Sequence, residues 1–87
     1  MSEPTNATVV AVNHSLGIFV IEAKKDDCAI LETNGRIALN VGDIVNADWS
    51  APDFINVTNA TQNCDMRARV QRSDVTRGEA ISSMAVI

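Results

Sequence analysis

The chain has 87 residues, of which 46% are hydrophobic, and this size allows one domain with a single small core. Its net charge of −4 argues against general nucleic-acid affinity, because binding to phosphate backbones depends on Lys and Arg. The apolar residues are mostly Val, Ile and Ala. Because β-branched side chains pack well on pleated sheets, the composition favours a β-rich fold over a disordered chain.

The N-terminal segment predicts a protein of the cytoplasm. Residues 1–4 lack the basic and apolar regions of a signal peptide, and no apolar run approaches the roughly 18 residues that span a bilayer. Cys28 and Cys64 lie too far apart, with one His in the chain, to form a zinc motif. We expect both cysteines to be reduced and buried, and we expect no cofactor, no metal and no membrane contact.

The first half of the chain predicts three strands after a flexible lead-in over residues 1–6. The strands cover residues 8–12, 18–23 and 28–32, and the second begins apolar on both faces, which favours a central position. Residues 13–17 form a turn rich in Asn, Ser and Gly, and residues 24–27 form a charged hairpin loop.

The segment after the third strand contains a tight turn followed by a short apolar stretch. Asn34-Gly35 within residues 33–36 is a strong signal for a tight turn. In residues 36–41, Ile37 and Val41 share a helical face, but the segment is too short for a stable helix. One turn of 3₁₀ helix and a short irregular strand both remain open.

The second half predicts three more strands, over residues 44–49, 54–58 and 66–71, with a turn at residues 50–53. Their alternation directs eight apolar side chains towards one core, with the intervening side chains pointing outward. These eight are Val45, Ala47, Trp49, Ile55, Val57, Met66, Ala68 and Val70. Six short strands joined by turns fit a sandwich or a barrel, and closure removes exposed edges. We therefore predict a closed or nearly closed five- to six-stranded OB-like barrel over residues 7–72.

Residues 73–87 predict a short amphipathic helix. Thr76 and Glu79 have the spacing of a capping box, and Ile81, Met84 and Ala85 follow at helical intervals. A helix of about ten residues beginning at Arg77 is marginal alone and has to dock. The apolar end, which also includes Val86 and Ile87, is expected on the barrel, with a second copy or a protein partner left as alternatives.

Three segments together resemble the skeleton of cold-shock domains and of ribosomal-type RNA-binding OB repeats. They are residues 9–13 (Val-Val-Ala-Val-Asn), 16–21 (Leu-Gly-Ile-Phe-Val-Ile) and 41–45 (Val-Gly-Asp-Ile-Val). The resemblance covers about residues 8–59 as a pattern of sparse positions. It implies an OB barrel that stacks bases on exposed aromatic side chains, and Phe19 lies where such an aromatic side chain would be.

Basic residues concentrate near the C-terminus. Residues 1–65 carry nine acidic and three basic residues, whereas residues 66–87 carry two acidic and four basic ones. Arg67, Arg69 and Arg72 are therefore candidates for a basic stripe that binds phosphate or an acidic protein. The alternative is that they pair with the domain's own acids, such as Glu22, Glu32 or Asp48.

The remaining polar features predict no catalytic site. His14 lies in a turn without a Ser or Cys partner at a recognisable spacing. The loop carboxylates do not follow a calcium-loop spacing and are expected to be solvated, and Trp49 is expected in the core rather than as a ligand platform. These carboxylates belong to Asp26, Asp27, Asp43, Asp48 and Asp53.

Two functions fit this sequence. The first is a non-catalytic module that binds a protein or a small ligand through the arginines and the apolar tail. The second is a weak single-stranded RNA-binding domain that uses Phe19 with the same arginines.

Overall fold

The structure, a computed structural model, describes residues 4–34, 37, 39–49 and 53–85, without the side chains of Met84 and Ala85. It contains strands at all six places where the sequence predicts them, followed by the predicted helix. The elements are β1 (Thr5–Asn13), β2 (Ile18–Lys24), β3 (Asp27–Glu32), β4 (Ile44–Ala47), β5 (Phe54–Asn59), β6 (Cys64–Val75) and α1 (Arg77–Ala85).

The strands close into one antiparallel barrel in the order β1-β2-β3-β6-β5-β4, with β4 paired back to β1. Strands β1 to β3 form one meander and β4 to β6 form another. The β3–β6 and β1–β4 pairings join the two meanders. The prediction of a mostly β, closed barrel with a short C-terminal helix is therefore confirmed.

Alternate side chains of the strands fill the interior, as the period of two requires. Ile55 and Val57 on β5 are buried, whereas Phe54, Asn56 and Thr58 between and beside them are exposed. On β6, Ala68 is buried and its neighbours at two-residue spacing, Met66 and Val70, pack against the core. The fully buried interior side chains include Val9, Phe19, Ile21, Leu31, Leu39, Val45 and Val57.

Several boundaries differ from the sequence interpretation. Strand β1 begins at Thr5, within the expected lead-in, and β6 continues to Val75 rather than ending at residue 71. The predicted turns at residues 33–36 and 50–53 fall partly on residues 35, 36 and 50–52, which lie outside the described residues. Strand β4 ends at Ala47, but Trp49 still packs against the core as expected.

The segment before β4 does not use the helical face that the sequence suggested. Residues 37 and 39–41 lie in neither a helix nor a strand. Ile37 and Leu39 are buried while Val41 is 65% exposed, so the expected pairing of Ile37 with Val41 is wrong. Ile37 and Leu39, two residues apart, are the pair that joins the interior cluster instead.

Asp43 corrects the expectation of a solvated loop carboxylate, because its side chain is buried. Its Oδ2 accepts hydrogen bonds from the Asn40 amide at 2.9 Å, from Nδ2 of Asn59 at 2.8 Å and from Nε2 of Gln62 at 2.7 Å. The backbone of Asp43 also bonds Val9, since its carbonyl accepts from the Val9 amide at 2.9 Å. The carboxylate thus ties the loop before β4 to the end of β5 and to the β5–β6 turn, and the backbone of the same residue ties this loop to β1.

These donors stabilise the charged form of the carboxylate. The hydrogen bond from Asn59, followed by that from the Asn40 amide, holds the pKa of Asp43 below its ordinary value, although burial opposes this. A carboxyl group with a lowered pKa in the folded state stabilises the fold at neutral pH.

Replacing Asp43 is expected to destabilise the domain. Asp43→Ala leaves the three donors without their acceptor and should lower the free energy of unfolding by about 1–3 kcal/mol. Asp43→Asn keeps an oxygen acceptor but removes the charge and should cost less. Urea unfolding followed by circular dichroism measures both, and Asp53→Ala, at an exposed carboxylate, is the matched control.

The same variants predict a pH dependence. Because the pKa is lowered on folding, the contribution of Asp43 is present above the unfolded value of about 3.9 and is lost as pH falls through the folded value. The stability difference between the wild type and Asp43→Asn should shrink in acid. A difference that stays constant from pH 6 to pH 3 would contradict this role.

Helix α1 docks on the outside of the barrel. Its N-terminus is the predicted capping box, in which the Glu79 amide donates to Thr76 Oγ1 at 3.2 Å and the Thr76 hydroxyl donates to Glu79 Oε1 at 3.0 Å. Ala80 is completely buried against Val20, Cys28, Ile30 and Val75. Internal docking is thus present, but it uses Ala80 rather than the expected Ile81, which is 40% exposed. The expected contributions of Met84, Ala85, Val86 and Ile87 lie outside the described side chains.

Charge introduced at the helix contact should destabilise the fold. Ala80→Glu places a long carboxylate side chain against the outer apolar cluster and is expected to cost about 1–3 kcal/mol. Ser82→Glu, at an exposed position of the same helix, should have little effect. Equal thermal melting temperatures for the two variants would contradict docking through Ala80.

Candidate functional site

The arginine face is the outer surface of β6 that carries Arg67, Arg69 and Arg72. Arg69 lies opposite Glu32 on β3, Arg72 opposite Ile30 and Val75 opposite Cys28. Directly opposed residues of antiparallel strands point to the same side of the sheet. The three partners share one side of β3, so Arg69, Arg72 and Val75 share the outer side of β6.

Two irregularities in the β3–β6 register produce this arrangement. A regular strand would direct Arg69 and Arg72 to opposite faces, because their spacing is odd. The register shift between the Ile30 and Leu31 pairs adds one residue to β6 and returns Arg72 to the outer side. The bulge thereby extends the basic surface along the strand, which period-two reasoning does not predict.

Arg69 is the anchored member of the arginine face. Its Nη2 forms an ion pair with Glu32 Oε1, and its guanidinium carbon lies 5.8 Å from the ring centroid of Phe54. Phe54 is directly opposite Arg69 on β5. The prediction that the arginines pair with the domain's own acids is therefore correct for Arg69, while its planar group also stacks over an aromatic ring.

Arg67 and Arg72 are exposed and have no side-chain partner within the described part of the chain. Arg67 lies opposite Asn56 of β5, and its backbone carbonyl accepts a hydrogen bond from Thr33 Oγ1 at 2.8 Å. The backbone position of this arginine is thus fixed while its guanidinium group faces solvent. Two free cations beside an anchored one form a surface that suits an anionic ligand.

Phe19 does not belong to this surface, and its assignment as an exposed stacking aromatic is wrong. Its side chain has 0% exposure and lies in the interior cluster. It pairs with Val12 and Leu31, whose side chains also point inward. Phe54, which is 39% exposed beside Arg69, is the aromatic residue that sequence reasoning missed. The alternation of β5 could have indicated it, because Phe54 lies on the face of the strand opposite to the inward-facing Ile55 and Val57.

The other polar candidates stay apart from the arginine face. His14 is exposed in the turn between β1 and β2. Asp26 and Asp53 are exposed, and Asp27 and Asp48 are half-buried, so Asp43 is the one of the five that is buried. Within the described ranges no three His, Cys, Asp or Glu side chains are placed to share a metal ion.

The two cysteines are free thiols with different surroundings. Cys28 is buried, as expected, but Cys64 is only half-buried. Burial, followed by the nearby carboxylate of Glu22, raises the pKa of the Cys28 thiol. Cys28 is therefore a protonated, weakly nucleophilic side chain at neutral pH.

Thiol labelling should separate the two. In a Cys64→Ser variant, Cys28 is expected to react with a thiol-exchange reagent only as fast as the domain opens, whereas Cys64 should react directly in Cys28→Ser. Because its pKa is raised, Cys28 labelling in the folded state should stay low at pH values near the ordinary thiol value of about 8.5. Equal rates for the two variants would show that Cys28 is accessible.

The helix among the described residues is too short to cross a membrane. Comparison of the chain with protein-family models, with curated proteins and with solved structures finds no match. The arginine face is therefore the surface from which a function is inferred.

Proposed function

We propose that this chain is a non-catalytic binding module with an OB-like barrel, which binds an acidic segment of a protein through the arginine face. The observation that carries the proposal is the pair of exposed, unpartnered guanidinium groups of Arg67 and Arg72 beside the stacked Arg69 and Phe54. Arginine and aromatic side chains are enriched at the energetic centres of protein interfaces.

The surroundings of the arginines support a protein ligand. Asn56 and Thr58 on β5 add neutral hydrogen-bonding groups next to Phe54, and all three side chains are exposed on one side of that strand. A mixed surface of this kind, with an aromatic centre and a polar rim, is typical of protein contacts. The anchored Arg69 offers a preformed geometry, which lowers the entropy lost on binding.

Single-stranded RNA is the second candidate ligand, and the arginine face provides fewer of the groups that would bind it. Phe19 is inside the barrel, so the aromatic position implied by the OB resemblance provides no ring for base stacking. On the arginine face Phe54 provides one ring, with the Arg69 guanidinium group already over it, whereas OB domains that bind single strands use several stacking rings. The net charge of −4 also opposes a polyanion.

Fluorescence anisotropy with defined probes tests the proposal. The probes are a labelled ten-residue peptide rich in Glu and Leu, and a labelled ten-nucleotide uridine RNA, both at about 50 mM salt, a range in which arginine–phosphate contacts are strong. We expect the peptide to bind and the Arg67→Ser/Arg72→Ser variant to lose about tenfold in affinity, which corresponds to about 1.4 kcal/mol.

The matched control removes two cations elsewhere. Lys24→Ser/Lys25→Ser acts at the end of β2 and in the β2–β3 turn, and should leave peptide affinity nearly unchanged. Tighter binding of the RNA than of the peptide, with a log–log salt slope reduced by the arginine variant, would favour the RNA function. Equal losses of peptide affinity in the two double variants would show a general charge effect and would contradict the arginine face as the binding site.

A further inference from the structure

A second surface feature lies next to the C-terminal end of the arginine face, and none of the three arginines lines it. Strand β5 begins at Phe54, opposite Arg69, whereas β6 runs on to Val75. Beyond Arg69, β6 therefore pairs only with β3 among the residues that the structure describes. A pocket of about 160 Å³ opens there, between the last residues of β6 and Trp49.

The pocket combines an apolar floor, one aromatic wall and acidic residues. Ile21, Cys28 and Ala29 belong to the buried clusters and form the floor. Trp49 lines one side, and its ring is held in place because Nε1 donates a hydrogen bond to the Thr5 carbonyl at 3.0 Å. Asp27 and Asp74 also line the pocket, and no basic residue does so among the described residues.

The charged side chains among the described lining residues are both carboxylates, those of Asp27 and Asp74. An anion entering the pocket meets repulsion from them, whereas a cation meets two carboxylates and an indole ring, which attract positive charge.

We propose that this pocket binds a small primary alkylammonium group, either a free amine or the end of a lysine side chain. A pocket of about 160 Å³ admits a ligand of a few heavy atoms, such as a four-carbon primary amine. The site is separate from the arginine face, so this proposal stands whether or not that surface binds a protein.

Trp49 provides the readout, because it is the single tryptophan of the chain. Its fluorescence is titrated with n-butylammonium chloride, with n-butanol as the neutral equivalent and sodium butyrate as the anionic one. We expect a saturable change with butylammonium, with a dissociation constant of roughly millimolar order for five heavy atoms. Butanol should bind at least about tenfold more weakly, and butyrate should give no saturable change.

Charge-removing variants locate the site. Asp27→Asn and Asp74→Asn should each weaken butylammonium binding several-fold while circular dichroism stays unchanged. Asp65→Asn, at an exposed carboxylate at the start of β6, is the matched control and should leave the affinity as in the wild type. A parallel series with the peptide Gly-Lys-Gly distinguishes the two sources, since tighter peptide binding identifies a lysine side chain and tighter butylammonium binding identifies a free amine.

Three results would overturn the proposal. The first is the absence of saturation with both butylammonium and Gly-Lys-Gly up to about 100 mM, a concentration well above the dissociation constant expected for so small a ligand. The second is equal binding of butanol and butylammonium, which would show an apolar pocket without charge recognition. The third is an equal effect of Asp65→Asn and Asp74→Asn.

Discussion

Burial of the sheet on both faces is the constraint on which this structure depends, and it is most complete along β2 and β3 among the described strands. Phe19, Val20 and Ile21 are all buried in succession, as are the residues from Cys28 to Leu31. Alternate members of these runs face the barrel interior and the outer cluster beneath α1. The interior of a barrel formed by 87 residues gives only a small core. The outer cluster beneath α1 adds a second apolar layer on one side of the barrel.

The same constraint leaves the opposite side uncovered. Strand β5 and the first half of β6 bury one face and expose the other, so their outer residues are free to serve a ligand. The arginine face lies where this exposed surface adjoins the covered one. The β3–β6 bulge keeps Arg72 on the outer side of β6, so the arginine face extends along the strand towards the covered surface. The apolar contacts that stabilise the fold and the surface proposed to bind a ligand thus lie on different faces of one sheet.

The carboxylates show how strongly position decides the role of a side chain. Asp43 is buried and accepts three hydrogen bonds, which join the loop before β4 to β5 and to the β5–β6 turn. Asp27 and Asp74 line a pocket, and Glu32 fixes an arginine. The residue types are the same, and the difference lies in the donors that the fold brings to each carboxylate.

Local pattern determined the strands, the helix and its cap, because each depends on neighbours in sequence: period two for the strands, and Thr76 with Glu79 for the cap. The inward series of β5 and β6 followed from the same rule, as did the outward direction of Arg67 and Arg69. Tertiary structure decided the burial of Phe19, because both faces of β2 are covered and alternation cannot say which face meets the interior. It also decided the network of Asp43, the contact of Ala80 instead of Ile81, and the pairing of Arg69 with Glu32 and Phe54. Each of these features joins residues that are distant in sequence or depends on a register shift between strands. The periodicity of a single segment predicts neither long-range contacts nor register shifts.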